Sequence, residues 1–419
     1  MKATIITIGD EILYGQTVDT NSAWIGTQLN LMGIEVLETY SISDEREHIL
    51  ETVDRALSRS QVVFVTGGLG PTNDDITKNT LAEYFKSELI YDPEVYEDVQ
   101  ALFHRRGLEL LERNKQQAWV PEACTVIRNA NGTAPGMWFE SHGRVVVSMP
   151  GVPLEMKAMV TDFVLPKLRE KYELPLIEHR FIMTAGVGES RIAEKLIDFE
   201  DNLPAGIGMA YLPSHGYVKL RLTARGDDRA EMKARLDKLQ EDLYKRLGDW
   251  IYGVGRDLTL EKALGDLLVT HGLSMGTAES CTGGYIGHRV TTIPGSSAWF
   301  KGGIISYDNQ VKEQQLGVSS STLAQYGAVS EETVREMLTG LFEQLPVEVG
   351  IAVSGVAGPD GGTPEKPVGT VWVAYGQAAD IRTKKLQLHK KRLLNIELTA
   401  TLGLNLLRRY LLETFEKRS

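Results

Sequence analysis

The chain has 419 residues, of which 42% are hydrophobic and 24% charged, a length that suits about two to four domains with buried cores. Its formal net charge of −11 gives it no general attraction for nucleic acid or anionic lipid. Its two cysteines, Cys124 and Cys281, cannot form a disulfide framework or a four-sulfur zinc site. The apolar start is short and no apolar stretch has membrane-spanning length, so we expect a cytoplasmic protein without nucleic-acid or membrane partners.

Short β-branched runs alternate with longer amphipathic stretches, which is the pattern of α/β domains built on parallel sheets. The clearest predicted strands are almost wholly apolar, as in strands covered on both faces: 3–8, 62–66, 145–148, 350–354 and 371–375. Glycine or proline closely follows several of them, and in open parallel sheets ligands bind at the loops that leave the strands. We therefore predict two parallel-sheet α/β domains, over residues 1–170 and 256–419.

The pattern of polar and apolar residues changes between these two domains. Residues 180–225 form shorter segments that mix polar and apolar side chains, which indicates a small α+β domain. Residues 227–251 predict one amphipathic helix, whose apolar side consists of Met232, Leu236, Leu239, Leu243 and Leu247. We assign this middle domain to residues 171–252, with a linker near residues 253–257.

The first candidate site begins where the predicted strand 62–66 runs into the sequence GGLGPTNDDIT. Its glycines let the backbone turn tightly and bring N–H groups close to an anion. Asp74 and Asp75 follow, and carboxylates beside a phosphate would repel it unless a divalent cation bridges them. A second acidic turn, GDEIL, can bring Asp10 and Glu11 to the same crevice. The alternative is that Asp74 or Asp75 caps a helix, and spacing alone does not separate the two interpretations.

GDEI with a downstream DTNS, then TGGLGPTNDDIT, NGTAPG and MPGVPLEM, closely resembles the N-terminal domain of the CinA (competence/damage-inducible) family. This domain is related to molybdopterin-binding domains, and the motifs fall in order over about the first 170 residues. The resemblance implies an ADP-ribose pyrophosphatase that releases AMP and ribose 5-phosphate, using Mg²⁺ or Co²⁺ and allowing K⁺ besides. It implies metal ligation by Asp74, Asp75, Asp10 and Glu11, and substrate contacts from Gly67, Gly68, Gly70, Asn21 and Asp44.

The segment TAGVGESRIAEKL, followed by residues 217–224, resembles the KH-type middle domain of the same family. A KH domain ordinarily clamps single-stranded RNA with a GXXG loop. The sequence Gly186-Val187-Gly188 lacks that spacing, so we expect a spacer or dimerising role and a homodimer.

The second candidate site begins with SMGTAESCTGG, which predicts a strand that ends in a glycine-flanked turn. Ser280 would then lie at a helix N-terminus, where backbone N–H groups can hold an oxyanion. In GGIISYDNQVK, Tyr307 would end a strand and Lys312 would open the next helix, so that both can point into one pocket. A nearby ammonium lowers the pKa of a phenol, which would create a Tyr–Lys base able to activate a serine hydroxyl. The alternative is that these three residues serve capping, packing and surface charge.

Two other nucleophiles are weaker candidates. Ser274 lies in a GxSxG sequence but precedes the predicted strand, whereas a nucleophile elbow follows one. Cys281 is intrinsically more nucleophilic than Ser280 but has no obvious His partner, so we predict that it is a packing residue.

AESCTGG, PGSSAWFKGGIISYDNQVK, VSGVAGPDGG and KPVGTVWVA resemble the C-terminal CinA domain, which occurs alone as nicotinamide mononucleotide deamidase. The resemblance covers about residues 256–419 and implies cofactor-free hydrolysis to nicotinate mononucleotide and ammonia. It makes Ser280 the nucleophile, with Tyr307 and Lys312 as the activating pair. It implies substrate contacts from Thr282, Gly283, Gly284, Ser354, Gly355, Gly358, Gly361 and Arg392. The family often has Thr where this chain has Ser354, and it shows a Gly-Asp-Arg turn where this chain reads Lys390-Lys391-Arg392.

The sequence therefore predicts a bifunctional pyridine-nucleotide salvage enzyme whose partners are nicotinamide mononucleotide and ADP-ribose. One alternative is a deamidase with a catalytically silent, nucleotide-binding N-terminal domain. Another is a competence-related adaptor that acts through protein contacts and needs no catalytic groups. Metal-dependent release of AMP from ADP-ribose separates the first two.

Overall fold

The computed structural model describes residues 1–72 and 74–416. The chain divides into two compact units, one of residues 1–177 with 225–229 and one of residues 178–224 with 230–419. Within the described ranges, no helix is long and apolar enough to cross a membrane.

The first unit is an α/β fold. Its strands are β1 Lys2–Ile8, β2 Glu35–Ile42, β3 Val62–Thr66, β4 Leu89–Tyr91, β5 Trp119–Pro121, β6 Cys124–Ile127, β7 Gly136–Ser141 and β8 Arg144–Met149. Its helices are α1 Asp10–Leu13, α2 Thr20–Leu31, α3 Arg46–Arg59, α4 Thr77–Tyr84, α5 Pro93–Arg106, α6 Glu112–Lys115, α7 Pro153–Met159 and α8 Leu165–Lys171, with a 3₁₀ turn at Gln116–Ala118 and a π-helical segment at Val160–Val164.

The main sheet of this unit has the strand order β2-β1-β3-β8-β7-β6. The strands β2, β1, β3 and β8 are parallel, as predicted, whereas at one edge β7 is antiparallel to β8 and β6 is antiparallel to β7. The reversal follows from the two-residue turn His142-Gly143, in which both residues have positive φ, 49° and 75°. Such a turn joins antiparallel neighbours, because parallel strands need a long crossover.

The central strand β3 separates two hydrophobic cores. Val62 and Phe64 pack into one core, and Val63 and Val65 pack into the other. All four side chains are fully buried, which explains why this strand reads as a continuous apolar run. The parallel arrangement brings the carboxyl ends of β1, β3 and β8 to the same edge of the sheet.

The middle part of the second unit is a small α+β fold. Its strands have the order β10-β11-β9-β12 and its two helices flank them in sequence: β9 Ile177–Ala185, α9 Glu189–Asp201, β10 Ile207–Ser214, β11 Tyr217–Arg225, α10 Arg229–Leu247, a 3₁₀ turn at Gly248–Trp250 and β12 Ile251–Val254. Helix α10 is the predicted amphipathic helix, and the members of its predicted apolar side pack into the core of this part.

The last part of the second unit is again α/β. Its strands are β13 Met275–Glu279, β14 Phe300–Ile305, β15 Val349–Gly355, β16 Thr370–Gln377 and β17 Asp380–Gln387. Its helices are α11 Leu260–Thr270, α12 Tyr285–Thr291, α13 Asn309–Leu316, α14 Ser320–Tyr326, α15 Glu331–Gln344 and α16 Arg392–Leu411, with a 3₁₀ turn at Ser296–Ala298 and a π-helical segment at Leu412–Glu416.

The sheet of this part has the order β14-β13-β15-β16-β17, in which β14, β13 and β15 are parallel, β16 is antiparallel to β15, and β17 is antiparallel to β16. The ends of β13 and β14 lie side by side, because Glu279 pairs with Ile305. The loops that start at Ser280 and Ser306 are therefore neighbours.

Candidate active sites

Ser280 and Lys312 are brought together from these two neighbouring strand ends. The Nζ atom of Lys312 lies 3.1 Å from the Oγ atom of Ser280, and it also donates to the carbonyls of Ser306 (2.8 Å) and Tyr307 (3.2 Å). Lys312 is 1% exposed and Ser280 is 7% exposed. Burial lowers the pKa of Lys312 below its usual value of 10.5, because desolvation disfavours the ammonium. In the neutral amine the two carbonyls can take the two N–H groups, which leaves the lone pair facing the serine hydroxyl.

Tyr307 does not occupy the position that the sequence indicated. Its hydroxyl accepts a hydrogen bond from Arg392 (2.8 Å), and Lys312 reaches its backbone carbonyl instead of its phenol. The reason is local: Lys312 is the fourth residue of α13 and points back to the strand ends, whereas Tyr307 precedes the helix and is 60% exposed. The geometry therefore favours Lys312 itself, rather than a Tyr–Lys pair, as the base for Ser280.

The helix N-terminus predicted at Ser280 also differs in the structure. Helix α12 begins at Tyr285, and its first amides are taken by the carboxylate of Glu279, which accepts hydrogen bonds from the N–H groups of Gly284, Ile286 and Gly287. These N–H groups are thus occupied and cannot hold an oxyanion. The N–H groups of Cys281 and Thr282 have no hydrogen-bond acceptor among the described residues.

Thr282, Gly283 and Gly284 shape the turn after Ser280. The hydroxyl of Thr282 donates to Glu279 (2.7 Å). Gly283 and Gly284 have φ of 61° and 95°, the left-handed region that favours glycine. The sequence predicted that these three residues contact the substrate, and in the structure they also form the turn.

The two weaker nucleophiles lie as expected. Cys281 is buried, and burial raises the pKa of its thiol to about 12, which disfavours the reactive thiolate. Ser274 precedes β13 and donates to the carboxylate of Glu348 (2.8 Å) at the opposite end of that strand from Ser280.

The second glycine loop follows β15. The Ser354 hydroxyl donates to the carbonyl of Ala328 (2.6 Å), and Gly355 packs so closely that a Cβ atom would lie 2.6 Å from a methyl of Val371. Gly358 and Gly361 both have a φ of 88°. Arg392, the first residue of α16, donates to the carbonyl of Gly358 (2.9 Å) and so joins this loop to Tyr307.

A cavity of about 470 Å³ lies in the first unit at the carboxyl ends of β1, β3 and β8. The predicted residues that line it are Glu11, Asn21, Asp44, Gly67, Gly68, Gly70, Asp74 and Asp75. Asp10 is not among the described residues that line the cavity, but its backbone N–H donates to the Asp44 carboxylate (3.3 Å). The two acidic turns of the sequence therefore do meet in one cleft.

The cleft is strongly acidic. Asp19 and Glu155 add two more carboxylates, and its described lining contains no Lys or Arg. Burial raises the pKa of Asp44 above its usual value of 3.8, and the neighbouring negative charges of Asp10, Glu11 and Asp75 add to this.

Among the described residues, no group of three or more His, Cys, Asp or Glu side chains is arranged to hold a metal ion. Mg²⁺ is usually bound through one or two carboxylates together with substrate phosphates. The hard oxygen donors of the cleft fit a divalent cation of that kind, bound together with a phosphate. The buried Oδ1 atom of Asn21 has no hydrogen-bond partner among the described residues, while its Nδ2 atom donates to the carbonyl of Gly151 (2.7 Å).

The glycines of the cleft also pack closely. A Cβ atom on Gly67 would lie 2.1 Å from the carbonyl oxygen of Ile8, and one on Gly68 would lie 2.1 Å from Oγ1 of Thr77. One on Gly70 would lie 2.5 Å from the Asp75 carboxylate.

The two carboxylates that follow these glycines fold back on Thr72. Asp75 accepts hydrogen bonds from both the N–H (2.9 Å) and the hydroxyl (2.5 Å) of Thr72, and the nearby Thr72 side chain also lowers the pKa of Asp74. The alternative that these carboxylates only stabilise local structure is thus observed in part, because Asp75 stabilises a turn, although it does not cap a helix. The Asp75 carboxylate still lines the cleft.

Three acidic residues escaped the sequence prediction. Glu279 directly precedes Ser280, Asp19 lies two positions before Asn21, and Glu155 lies in the motif MPGVPLEM, in which no site residue was predicted. What sets these residues apart is their burial and their contacts, which the sequence alone does not show.

The fold and the two sites define a protein that combines three known domain types. Residues 4–170 match the family described as probable molybdopterin binding domain, residues 179–253 the damage-inducible protein CinA KH domain, and residues 257–411 the CinA C-terminal domain. The chain is 47% identical over 411 residues to a CinA-like protein of Cytophaga hutchinsonii, covering 98% of each chain. It is 42% identical over 412 residues to a CinA-like protein of Salinibacter ruber, covering 98% of this chain and 100% of that one. The chain therefore belongs to the CinA family.

Among solved structures, the protein CinA with unknown function from Thermoplasma acidophilum is 34% identical to the matched part. It covers 39% of this chain and 96% of its own, with a TM-score of 0.37.

Proposed function

We propose that this CinA protein is a bifunctional hydrolase of pyridine nucleotides. The C-terminal site would hydrolyse nicotinamide mononucleotide to nicotinate mononucleotide and ammonia, and the N-terminal cleft would hydrolyse ADP-ribose to AMP and ribose 5-phosphate. The observation that carries the proposal is the 3.1 Å contact between a buried lysine amine, Lys312, and a serine hydroxyl, Ser280, at adjacent strand ends.

In the proposed deamidation, neutral Lys312 accepts the proton of the Ser280 hydroxyl while Oγ attacks the carboxamide carbon. The N–H groups of Cys281 and Thr282 would stabilise the negative oxygen that forms. The Lys312 ammonium then donates its proton to the leaving nitrogen, which departs as ammonia. Water hydrolyses the acyl-serine by the same route, with Lys312 first accepting and then returning a proton.

Arg392 is our candidate for binding the phosphate of the substrate. Its guanidinium is held by the Tyr307 hydroxyl and the Gly358 carbonyl, beside the glycine loop that follows β15. A planar guanidinium suits a phosphate because it donates two parallel hydrogen bonds. This orients the substrate with its carboxamide at Ser280 and its phosphate toward Arg392.

In the N-terminal cleft the proposal depends on charge. The pyrophosphate of ADP-ribose is an anion, and a cleft with many carboxylates would repel it without a cation. Asp75 and one neighbouring carboxylate of the cleft, Glu11 or Asp44, would hold Mg²⁺ or Co²⁺ together with the substrate phosphates. When bound, this ion neutralises the pyrophosphate and polarises a phosphoryl oxygen. K⁺ is a further ion that we propose for this cleft. The free Oδ1 atom of Asn21 can accept a hydrogen bond from a substrate hydroxyl.

The test is to incubate the purified full chain with each substrate, with EDTA and then with Mg²⁺ or Co²⁺. We expect ammonia release in all conditions and AMP release only with metal. A silent N-terminal domain would release ammonia but no AMP, and an adaptor protein would release neither. Light scattering on the same sample tests the proposed homodimer.

A further inference from the structure

Glu279 is the last residue of β13 and directly precedes Ser280. Its side chain is 1% exposed. Three backbone N–H groups donate to its carboxylate, those of Gly284 (3.1 Å), Ile286 (3.0 Å) and Gly287 (2.8 Å). Two hydroxyls also donate to it, those of Thr277 (3.2 Å) and Thr282 (2.7 Å). Five donors fill the acceptor capacity of a carboxylate, which has about four lone-pair sites.

These bonds connect the three segments that surround the proposed nucleophile. Thr277 belongs to β13, Thr282 to the turn, and the three amides to the start of α12. The backbone carbonyl of Glu279 also accepts from the N–H of Ser306 (2.8 Å), the residue whose own carbonyl receives Lys312. One residue is thus bonded both to the turn that carries Ser280 and to the loop that directs Lys312.

The charge of Glu279 has a second consequence. Because the carboxylate occupies the first amides of α12, no phosphate can bind at this helix end, and the substrate phosphate must be bound elsewhere. The N–H groups of Cys281 and Thr282, which have no acceptor among the described residues, stay available for a developing oxyanion.

We infer that Glu279 is a positioning residue of the proposed deamidase: its buried carboxylate holds the Ser280 turn in register with Lys312 and keeps anions away from the adjacent helix end. This inference rests on the proposed deamidase function.

The main test is Glu279→Gln, which keeps the size of the side chain but replaces one acceptor oxygen by an NH₂ group. That group would face N–H or O–H donors, so the turn must shift. A misplacement of about 1 Å can cost about 10²-fold in rate. We expect kcat for nicotinamide mononucleotide to fall about 10²-fold, with KM changed less than about threefold because the Arg392 side of the site is untouched.

The matched control is Glu348→Gln. Glu348 accepts from the N–H (2.6 Å) and the hydroxyl (2.8 Å) of Ser274 at the other end of β13, so it makes the same kind of bonds away from Ser280. The kcat of the Glu348→Gln enzyme should stay within about twofold of the wild-type value. A milder variant, Thr277→Val, removes a single donor to Glu279 at nearly constant volume and should lower kcat severalfold, which covers the case in which Glu279→Gln does not fold.

The rate at which a fluorophosphonate labels Ser280 is the second readout, because it reports the placement of the nucleophile without substrate. We expect slower labelling in Glu279→Gln and Thr277→Val and an unchanged rate in Glu348→Gln. Unchanged kcat and labelling in Glu279→Gln, equal losses in Glu348→Gln, or a rise in KM alone would each overturn the inference. If wild type labels but releases no ammonia, the proposed function fails, and the labelling rates still decide the role of Glu279.

Discussion

The Nζ atom of Lys312 lies 3.1 Å from the Oγ atom of Ser280, and the carbonyls of Ser306 and Tyr307 fix its other two hydrogen-bond directions. No carboxylate is among these three partners, so the amine is held by neutral acceptors in a buried place. A buried amine without a bonded anion loses its proton more readily than one in water. Burial therefore lowers the pKa of Lys312, although the nearby charge of Asp308 opposes this, and a lowered pKa would suit Lys312 as the base of the proposed deamidase.

We predict that Lys312→Met and Lys312→Arg both lose the deamidase activity by about 10³-fold. Methionine has no base, and arginine keeps its proton at any pH in use, so it can donate but cannot accept. Ammonia release from nicotinamide mononucleotide measures the loss. The control is Lys301→Met, because Lys301 also donates to two carbonyls in the same unit, those of Ser297 and Ala298, and should be unaffected. An active Lys312→Arg enzyme would show that the positive charge, and not the base, is what matters.

The losses from Ser280→Ala and Lys312→Met should not multiply. Residues that form one catalytic unit fail together, so the double variant should be about as slow as the slower single variant. Single-turnover kinetics of the three proteins measure this coupling. Cys281→Ala is the control and should keep most of the activity, because it removes only a small packing group. Two independent, multiplying losses would assign the residues separate roles.

The pH dependence of kcat should follow the ionisation of Lys312. Its neutral form is the active base, so activity should rise as the pH rises through the pKa of Lys312. Burial lowers that pKa below 10.5, so the rise should occur at a lower pH than for an exposed lysine. A profile of kcat between pH 5 and 10 measures the midpoint on an enzyme that stays folded by circular dichroism. A flat profile, or one that falls with rising pH, would contradict a lysine base.

The sequence was sufficient to predict those parts of the fold that depend on local patterns. The strand Val62–Thr66 was predicted with its observed ends, because its apolar run is interrupted at once by glycine. The antiparallel edges were not, because β7 and β16 are mainly apolar, like the parallel strands, and composition does not encode strand direction. Their direction depends on the connections to the neighbouring strands, the turn at 142–143 for β7 and the segment 356–369 for β16, and not on their own residues.

The sites show the same limit. The motifs pointed to Ser280 and Lys312, but not to their direct contact, because it depends on β13 and β14 being neighbours in the sheet. The Tyr307 hydroxyl bonds Arg392, a residue 85 positions further along the chain, and no local spacing encodes that distance. The five bonds of Glu279 are local in sequence, yet an acidic residue beside a serine is ordinarily read as a solvated charge.

In the N-terminal cleft we predict that Asp75→Asn abolishes metal-dependent AMP release from ADP-ribose and leaves ammonia release intact. The amide keeps an acceptor for the Thr72 N–H, so the turn should survive while the charge that binds a cation is lost. Calorimetry adds a readout besides activity: Mg²⁺ should strengthen ADP-ribose binding to wild type and not to the variant. Asp92→Asn is the control, because Asp92 caps α5 in the same unit outside the described lining of the cleft. Full AMP release by Asp75→Asn would leave Asp75 with its turn-forming role only.

The second unit contains a buried ion pair whose disruption should lower the stability of the unit. Arg289 on α12 pairs with Glu261 on α11, and their side chains are only 15% and 7% exposed. The same guanidinium donates to the hydroxyls of Thr401 (2.7 Å) and Tyr217, so it joins the last part of the unit to the middle part. Replacing Arg289 by Gln leaves the Glu261 carboxylate buried without its cation, which typically costs about 3–5 kcal/mol.

We therefore expect Arg289→Gln to lower the melting temperature of this unit by about 10 °C. Lys262→Gln is the matched control, because Lys262 pairs with Asp266 on the same helix α11 but both side chains are half exposed. An exposed pair contributes at most about 1 kcal/mol, so this variant should melt within about 2 °C of wild type. Scanning calorimetry of the full chain measures both proteins. Equal shifts in the two variants would mean that burial gives the Arg289–Glu261 pair no special weight, and an unchanged Arg289→Gln would mean that Tyr217 and Thr401 hold the two parts together without it.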